Sequence, residues 1–285
     1  MPETKKNNFC YLNGKFLPFT EAGIALDDLG LLRGYGVFDA LATLNSGKIF
    51  LYDEHYERLK NSSGRLGLNL PLGKEEMRAA ITELLRKNNL EKAAVRIVIT
   101  GGRALDMLYF DPNSPTFFIL AKELKPLPKK LFESGAKLIT ADFGRYMPEI
   151  KTLNYQAAVK AFNEGKKTAK DFLEILYVSD GFVLEASTSN FFVFKNDVLI
   201  TPSEGILKGT TRNLVIKLAK ENGFSVEERE LSFQEMKTAD EAFITSTYKD
   251  ITPIVQVDDF KIGEGKPGKN TKRLMQIFEE FVRNY

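Results

Sequence analysis

The chain of 285 residues predicts an α+β protein of two lobes, on three observations. Strand-like and helix-like apolar spacings alternate along its whole length, with no internal repeat and no low-complexity tract. The length exceeds that of a usual single domain, and a hydrophobic content of 43% is enough to build real cores. The stretch Lys122-Glu-Leu-Lys-Pro-Leu-Pro-Lys-Lys130 then breaks the pattern with prolines among charges, as a linker does. The expected division is a first lobe over residues 1–121, a linker over 122–130 and a second lobe over 131–285.

In chain order, Phe9 to Pro18 reads as two short strands around the turn pair Asn13-Gly14. Glu54 to Leu66 and Lys74 to Lys87 carry apolar residues at helical spacing, punctuated by Pro71 and Gly73. Ala94 to Thr100 and Thr116 to Ala121 are β-rich apolar runs. Between them, Gly101 to Ser114 is long enough to be a functional loop. The second lobe opens with a strand at Ala136 to Ile139 and a helix from Tyr155 to Lys167. Strands follow near Glu174 to Val178, Phe191 to Phe194 and Val198 to Thr201, divided by turns at Asp180-Gly181 and Asn196-Asp197. A helix from Thr211 to Asn222 stops at Gly223, a residue suited to the left-handed position past a helix end. Strands at Glu241 to Thr245 and Ile251 to Val257 precede a last helix from Asn270 to Val282.

Composition excludes several function classes. Forty basic and 38 acidic residues leave a net charge of +2, without the basic stripe of a nucleic-acid binder. One cysteine, Cys10, permits neither an internal disulfide nor a cysteine-built zinc site, and no metal is expected. Met1 to Asn8 is polar, so no secretory signal is expected, and no apolar run approaches the ~20 residues of a membrane helix. These readings point to the cytoplasm.

Four constellations carry chemistry. Glu204-Gly205-Ile-Leu-Lys-Gly209-Thr210-Thr211-Arg212 leads into an amphipathic helix, whose N-terminal amides and dipole suit a phosphate. An ordinary threonine N-cap after a glycine explains the same letters. Gly263-Glu-Gly-Lys-Pro-Gly268-Lys269-Asn270 nearly spells a nucleotide P-loop. However, Asn270 replaces the magnesium-binding hydroxyl, and the polar stretch before it makes a poor buried strand, so a surface turn is expected. His55 and Arg58 share a helix face, where the planar guanidinium fits a phosphate as well as it fits solvent. With a single histidine and no G-x-S-x-G elbow, a hydrolase triad has no support. Glu185 ends a strand among small polar residues, and Lys151 sits between Ile150 and a helix start. A buried carboxylate with a partner and an imine-forming amine are one reading; a turn cap and a surface lysine are the other.

Taken in order, these segments resemble the fold-type IV enzymes that depend on pyridoxal 5′-phosphate (PLP). That family holds branched-chain and D-amino-acid aminotransferases and aminodeoxychorismate lyases. The resemblance rests on Gly36-Val-Phe38-Asp39, His55-x-x-Arg58-Leu59, Lys151-Thr-Leu-Asn154, Glu185-Ala-Ser-x-Ser-Asn190-Phe191, Gly205-Ile-Leu-x-Gly-x-Thr211-Arg212, and Thr245-Ser-Thr247 followed by Thr252-Pro253. It implies a small N-terminal α/β lobe, a larger C-terminal α/β lobe, cofactor in the cleft and a homodimer whose partner loops help close the site. By the same resemblance Lys151 is the Schiff-base lysine and proton shuttle, and Glu185 pairs with the pyridine nitrogen. Arg58, Thr247 and the amides of Thr210 and Thr211 hold the phosphate. Leu207 packs on the ring, Tyr155 bonds the ring hydroxyl, Ser246 lines the site, and Phe38 and Tyr248 lie on the substrate side.

Departures from the family pattern bear on the substrate. Arg33 stands where an aromatic residue or histidine is usual, and it either binds a carboxylate or faces outward. The strand Ala94-Val-Arg96 lacks the tyrosine that precedes the arginine in branched-chain enzymes, and their Gly-Gly before Asn-Tyr is missing too. Arg103 is a further carboxylate candidate, in a loop where D-amino-acid enzymes carry basic residues. The expectation is a transaminase for D-amino acids such as D-alanine or D-glutamate, with 2-oxoglutarate or pyruvate as acceptor. Branched-chain L-amino acids are the alternative, and a lyase reaction the third.

Overall fold

A computed structural model describes residues 8–45, 47–168 and 171–285. Most of the polar opening stretch, through residue 7, lies outside them. The chain forms two compact units, one reaching to Lys125 and adding Ile150–Asn154, the other made of Pro126–Glu149 and Tyr155–Tyr285.

In the first unit, strands β1 (Phe9–Leu12) and β2 (Lys15–Pro18) form the expected hairpin, with Asn13 and Gly14 both at positive φ. A short helix α1 (Leu29–Arg33) precedes β3 (Gly36–Ala42). Helices α2 (Tyr52–Arg65) and α3 (Lys74–Lys87) come next, then β4 (Ala93–Thr100) and β5 (Thr116–Glu123). The five strands make one antiparallel sheet in the order β2-β1-β5-β4-β3. Every residue of β3 is buried, although β3 ends the sheet. Its outer edge is covered by Ile150–Asn154: the Phe38 amide donates to Lys151 O at 3.0 Å and the Leu153 amide to Gly36 O at 2.9 Å. A side chain at Gly36 would meet Ile99 O at 2.6 Å and Leu153 Cδ1 at 2.7 Å, so only glycine lets the two backbones approach.

That contact alters the expected division. Ile150–Asn154 was assigned to the second lobe, but it clusters with the first, because pairing satisfies the backbone of an edge strand that is otherwise bare. The expected linker is also shorter. Lys122 and Glu123 pair with Ala94 and Ala93, and a helix α4 (Lys129–Ser134) claims Lys129 and Lys130.

The second unit continues with β6 (Ala136–Asp142), α5 (Gln156–Thr168), β7 (Glu174–Ser179), β8 (Phe182–Ala186), β9 (Ser189–Lys195) and β10 (Val198–Thr201). Then come α6 (Thr210–Glu221), β11 (Ser225–Glu228), β12 (Leu231–Ser232), α7 (Phe233–Lys237), β13 (Glu241–Ser246), β14 (Asp250–Val257), β15 (Phe260–Lys261) and α8 (Lys269–Asn284). The strand order is β11-β10-β9-β13-β14-β6-β7-β8-β12, and β8 also pairs with β9. Strands β9, β13, β14, β6, β7 and β8 therefore close into a ring. Leu138, Leu176, Phe191, Val193, Ile244 and Ile254 belong to its apolar core. Closure protects the strand edges, and two of the pairs in the ring, β14–β6 and β6–β7, are parallel. Among the described residues, no helix is long and apolar enough to cross a membrane.

Candidate active site

Two groups of residues stand out, one in each unit. In the first unit, α2 projects His55, Arg58 and Ser62 at the i, i+3, i+7 spacing of one helix face. Asp39 of β3 is fully buried between them. Its Oδ1 lies 2.7 Å from His55 Nδ1 and accepts from Arg58 Nη2 at 2.7 Å, while Oδ2 accepts from Arg58 Nε at 2.8 Å. Burial alone would raise the Asp39 carboxyl, but the Arg58 and His55 charges hold it below the ordinary carboxylate range. Burial lowers the His55 imidazole, and Asp39 only partly offsets this.

Lys151 lies on the segment beside β3, its amide donating to Ser62 Oγ at 3.4 Å. Its Nζ sits 4.8 Å from the centre of the Phe38 ring, and Arg96 Cζ lies 5.1 Å from the same centre. The β3–β4 register explains this. Arg96 faces Ala40, one pleat from Phe38, so both side chains leave the same face of the sheet. The other two candidate arginines stand apart from this pair. Arg103 Nε and Nη2 donate to the Asp27 carboxylate at 3.0 and 2.8 Å in an exposed pair. Arg33 ends α1, is exposed, and donates to its neighbour Leu32 O.

In the second unit, the β8–β9 hairpin sets Glu185 directly opposite Asn190, and β9 sets Asn190 opposite Thr245 of β13. Residues opposite one another share a face, so Glu185, Asn190 and Thr245 form a buried row. Glu185 Oε1 accepts from Arg145 Nε at 2.8 Å, and Oε2 accepts from the Leu207 amide at 3.1 Å and Asn190 Nδ2 at 3.4 Å. Asn190 Nδ2 also donates to Leu207 O at 2.6 Å. The Thr245 hydroxyl is buried with no hydrogen-bond partner among the described residues.

The same asparagine positions the helix start. A Cβ on Gly209 would lie 2.3 Å from Asn190 Oδ1. Gly209 is itself the N-cap of α6, without a side-chain cap, and Thr210 and Thr211 open the helix. The threonine N-cap alternative is thereby overturned: the glycine occupies the cap position, which leaves the helix-start amides without a capping side chain. Tyr155 packs beside Tyr177, whose phenol is pushed up to about 12 mainly by burial, with Tyr155, Arg145 and Glu185 close enough to contribute. Ser246 ends β13, and Thr247 and Tyr248 form the turn into β14.

The Gly263–Gly268 segment is a turn before α8 and no phosphate cradle. The carboxylate of Glu241 accepts from the Asn270 and Thr271 amides at 3.0 and 2.7 Å, so the protein's own anion holds that helix start.

Sequence reasoning gave no role to Arg145, Asp39 or Asn190. The last two stood inside quoted motifs, and reading the β8–β9 hairpin register would have faced Asn190 with Glu185. Arg145 carries no local pattern that marks it.

Comparison with known proteins bears directly on these groups. The family model for class IV amino-transferases matches residues 36–257, a span that holds every residue of both. A putative branched-chain-amino-acid aminotransferase of Methanocaldococcus jannaschii is 40% identical over 281 residues, covering 95% of each chain. A D-alanine aminotransferase of Listeria monocytogenes is 32% identical over 277 residues, with the same coverage. The crystal structure of the Escherichia coli branched-chain amino acid aminotransferase superposes with a TM-score of 0.89 at 28% identity, over 97% of this chain and 95% of that one. The branched-chain amino acid aminotransferase of T.th., solved with pyridoxamine 5′-phosphate, gives 0.88 at 27% identity, covering 98% and 95%. With its fold and most of its length matched in this way, the chain belongs to the class IV aminotransferases.

Proposed function

We propose that the enzyme uses pyridoxal 5′-phosphate to move an amino group between a branched-chain L-amino acid and a 2-oxo acid. The observation that carries this reading is the Phe38 ring, whose centre lies 4.8 Å from the amine of Lys151 and 5.1 Å from the guanidinium carbon of Arg96. An amine that exchanges with the donor and a cation that takes a carboxylate are the two groups a transaminase needs on its substrate side.

The donor set suits the cofactor. A phosphate is held by a guanidinium or by helix-start amides, and each unit offers one of these by itself, Arg58 in the first and the start of α6 in the second. Its ring nitrogen calls for a buried carboxylate, which Glu185 supplies. When bound, the group supplies a carbonyl that accepts the amino nitrogen and a ring that draws electrons from the α-carbon. In this assignment Lys151 would carry the cofactor on its amine and hold the α-proton. Glu185 would keep the ring nitrogen protonated, and Arg145, bonded to it, keeps that carboxylate oriented. Leu207 would pack on the ring and Tyr155 would bond its hydroxyl. Thr210, Thr211, Ser246 and Thr247 would hold the phosphate from the second unit, and Tyr248 would lie on the substrate side. The assembly is a homodimer, a second copy covering the exposed Leu105, Met107, Leu108 and Tyr109 of one loop.

A D-amino acid donor, favoured on sequence grounds, stands as the second reading. It is supported by the D-alanine aminotransferase relatives, while its candidate anchor Arg103 is engaged by Asp27. Spectra with single donors separate the two. The PLP-loaded enzyme is expected to lose its visible imine band with L-leucine and to keep it with D-alanine or D-glutamate. Bleaching by a D-amino acid alone overturns the L-preference.

A further inference from the structure

Behind the turn that carries Thr247 lies an ion pair between a buried carboxylate and the partly exposed Lys249, with no part in the roles above. Glu174 of β7 is 3% exposed, and its carboxylate is saturated. Oε1 accepts from Ser189 Oγ at 2.6 Å and Lys249 Nζ at 2.8 Å. Oε2 accepts from the Thr188 amide at 2.7 Å and Ser187 Oγ at 3.2 Å. Lys249 adds a bond to Thr188 Oγ1 at 2.7 Å.

These partners come from two turns far apart in sequence. Ser187 and Thr188 make the β8–β9 turn after Glu185, and Ser189 opens β9 just before Asn190. Lys249 closes the β13–β14 turn, immediately after Thr247 and Tyr248. The backbone of that turn is held as well: the Lys249 amide donates to Ser246 O at 3.2 Å and Thr252 Oγ1 donates to Lys249 O at 2.7 Å. One buried carboxylate thus fastens both turns to β7.

We infer that the Lys249–Glu174 pair is a latch that positions the Thr247–Tyr248 turn for the cofactor phosphate. This rests on the reading that Thr247 contacts that phosphate. Such an ion pair gains little net stability, because desolvation of its charges offsets their attraction, whereas its four bonds to the two turns set where those turns lie. Here the fixed element is a short turn whose neighbours are the proposed phosphate ligands. Lys249 and Glu174 are positioning residues and touch neither cofactor nor substrate.

The test compares PLP with pyridoxal, which lacks the phosphate, by absorbance titration of the purified full chain. Lys249→Met is expected to weaken PLP binding about tenfold while changing pyridoxal binding by less than about twofold. Lys249→Arg, which keeps the cation, restores most of the loss. Glu174→Gln gives the same selective loss, and the double variant is no worse than either single one. Circular dichroism confirms that each variant is folded. Equal loss for both ligands, or no loss for either, overturns the latch while leaving the transaminase reading intact. A wild-type chain that binds neither ligand overturns that reading, and the latch with it.

Discussion

Two carboxylates in this chain are buried against arginines, and they make different demands. Asp39 uses both oxygens on Arg58, so it fixes the direction of a guanidinium that the sequence motif could only name. Glu185 gives one oxygen to Arg145 and shares the other between an amide and Asn190. The first acts through its neighbour, whereas the second is the carboxylate proposed to pair with a ring nitrogen. Glu185→Gln keeps the shape but loses the charge. It is expected to lower kcat about 100-fold while leaving the imine band of the loaded enzyme in place. Steady-state kinetics beside an absorption spectrum checks this, and an unchanged kcat contradicts the role. At this scale the residues alone left Arg58, Glu185 and Lys151 each with an ordinary surface or capping alternative, and only the ordered motifs singled them out as candidates. They could not show the pairings: Arg145 reaches Glu185 across 40 positions, and no local spacing encodes that distance.

At the scale of elements, the strands and longer helices were legible because each pays for burial with its own periodicity. The helix from Lys74 to Lys87 has the bounds its apolar spacing indicates, and β10 likewise runs from Val198 to Thr201. Short pieces such as α1, α7 and β12 were not legible. They span five residues or fewer and owe their form to tertiary contacts rather than to a pattern. Ile150–Asn154 is the instructive case: a segment with no strand signature adopts an extended path because β3 needs an edge partner. The start of α6 is decided by packing as well, since Asn190 leaves no room for a side chain at the cap. Gly209→Ala is expected to cost about 1–3 kcal/mol of stability, from overpacking. It should also weaken PLP binding more than pyridoxal binding, because the displaced element is the one proposed to hold the phosphate. Thermal melts and paired titrations check this, and a fully stable variant with unchanged affinities contradicts the packing argument.

For the whole molecule, three buried groups bias stability on the acid side in one direction. His55 is held below its ordinary value of 6.5, and Asp39 and Glu174 below 3.8 and 4.5. In each case the unfolded chain takes up its proton at a higher pH than the folded one, so the stability these three contribute is present above pH 6.5 and falls as the pH is lowered. His55 contributes first, below pH 6.5, and the carboxylates follow below 4.5 and 3.8. Melting temperature should therefore decline from pH 6.5 to about 5 in the wild type and stay nearly flat over that interval in His55→Asn. An identical decline in both would assign the effect elsewhere. The two units were legible as two lobes, but the membership of Ile150–Asn154 in the first was not, and it puts Lys151 against the Phe38 ring on which Arg96 also lies. Everything proposed for the reaction depends on Lys151 being the cofactor lysine. The direct measurement is borohydride reduction of the PLP-loaded enzyme, followed by peptide mass spectrometry. The account predicts one phosphopyridoxyl group, on the peptide containing Lys151, and none in Lys151→Ala; a label on another lysine, or a protein that takes up no PLP, would contradict it.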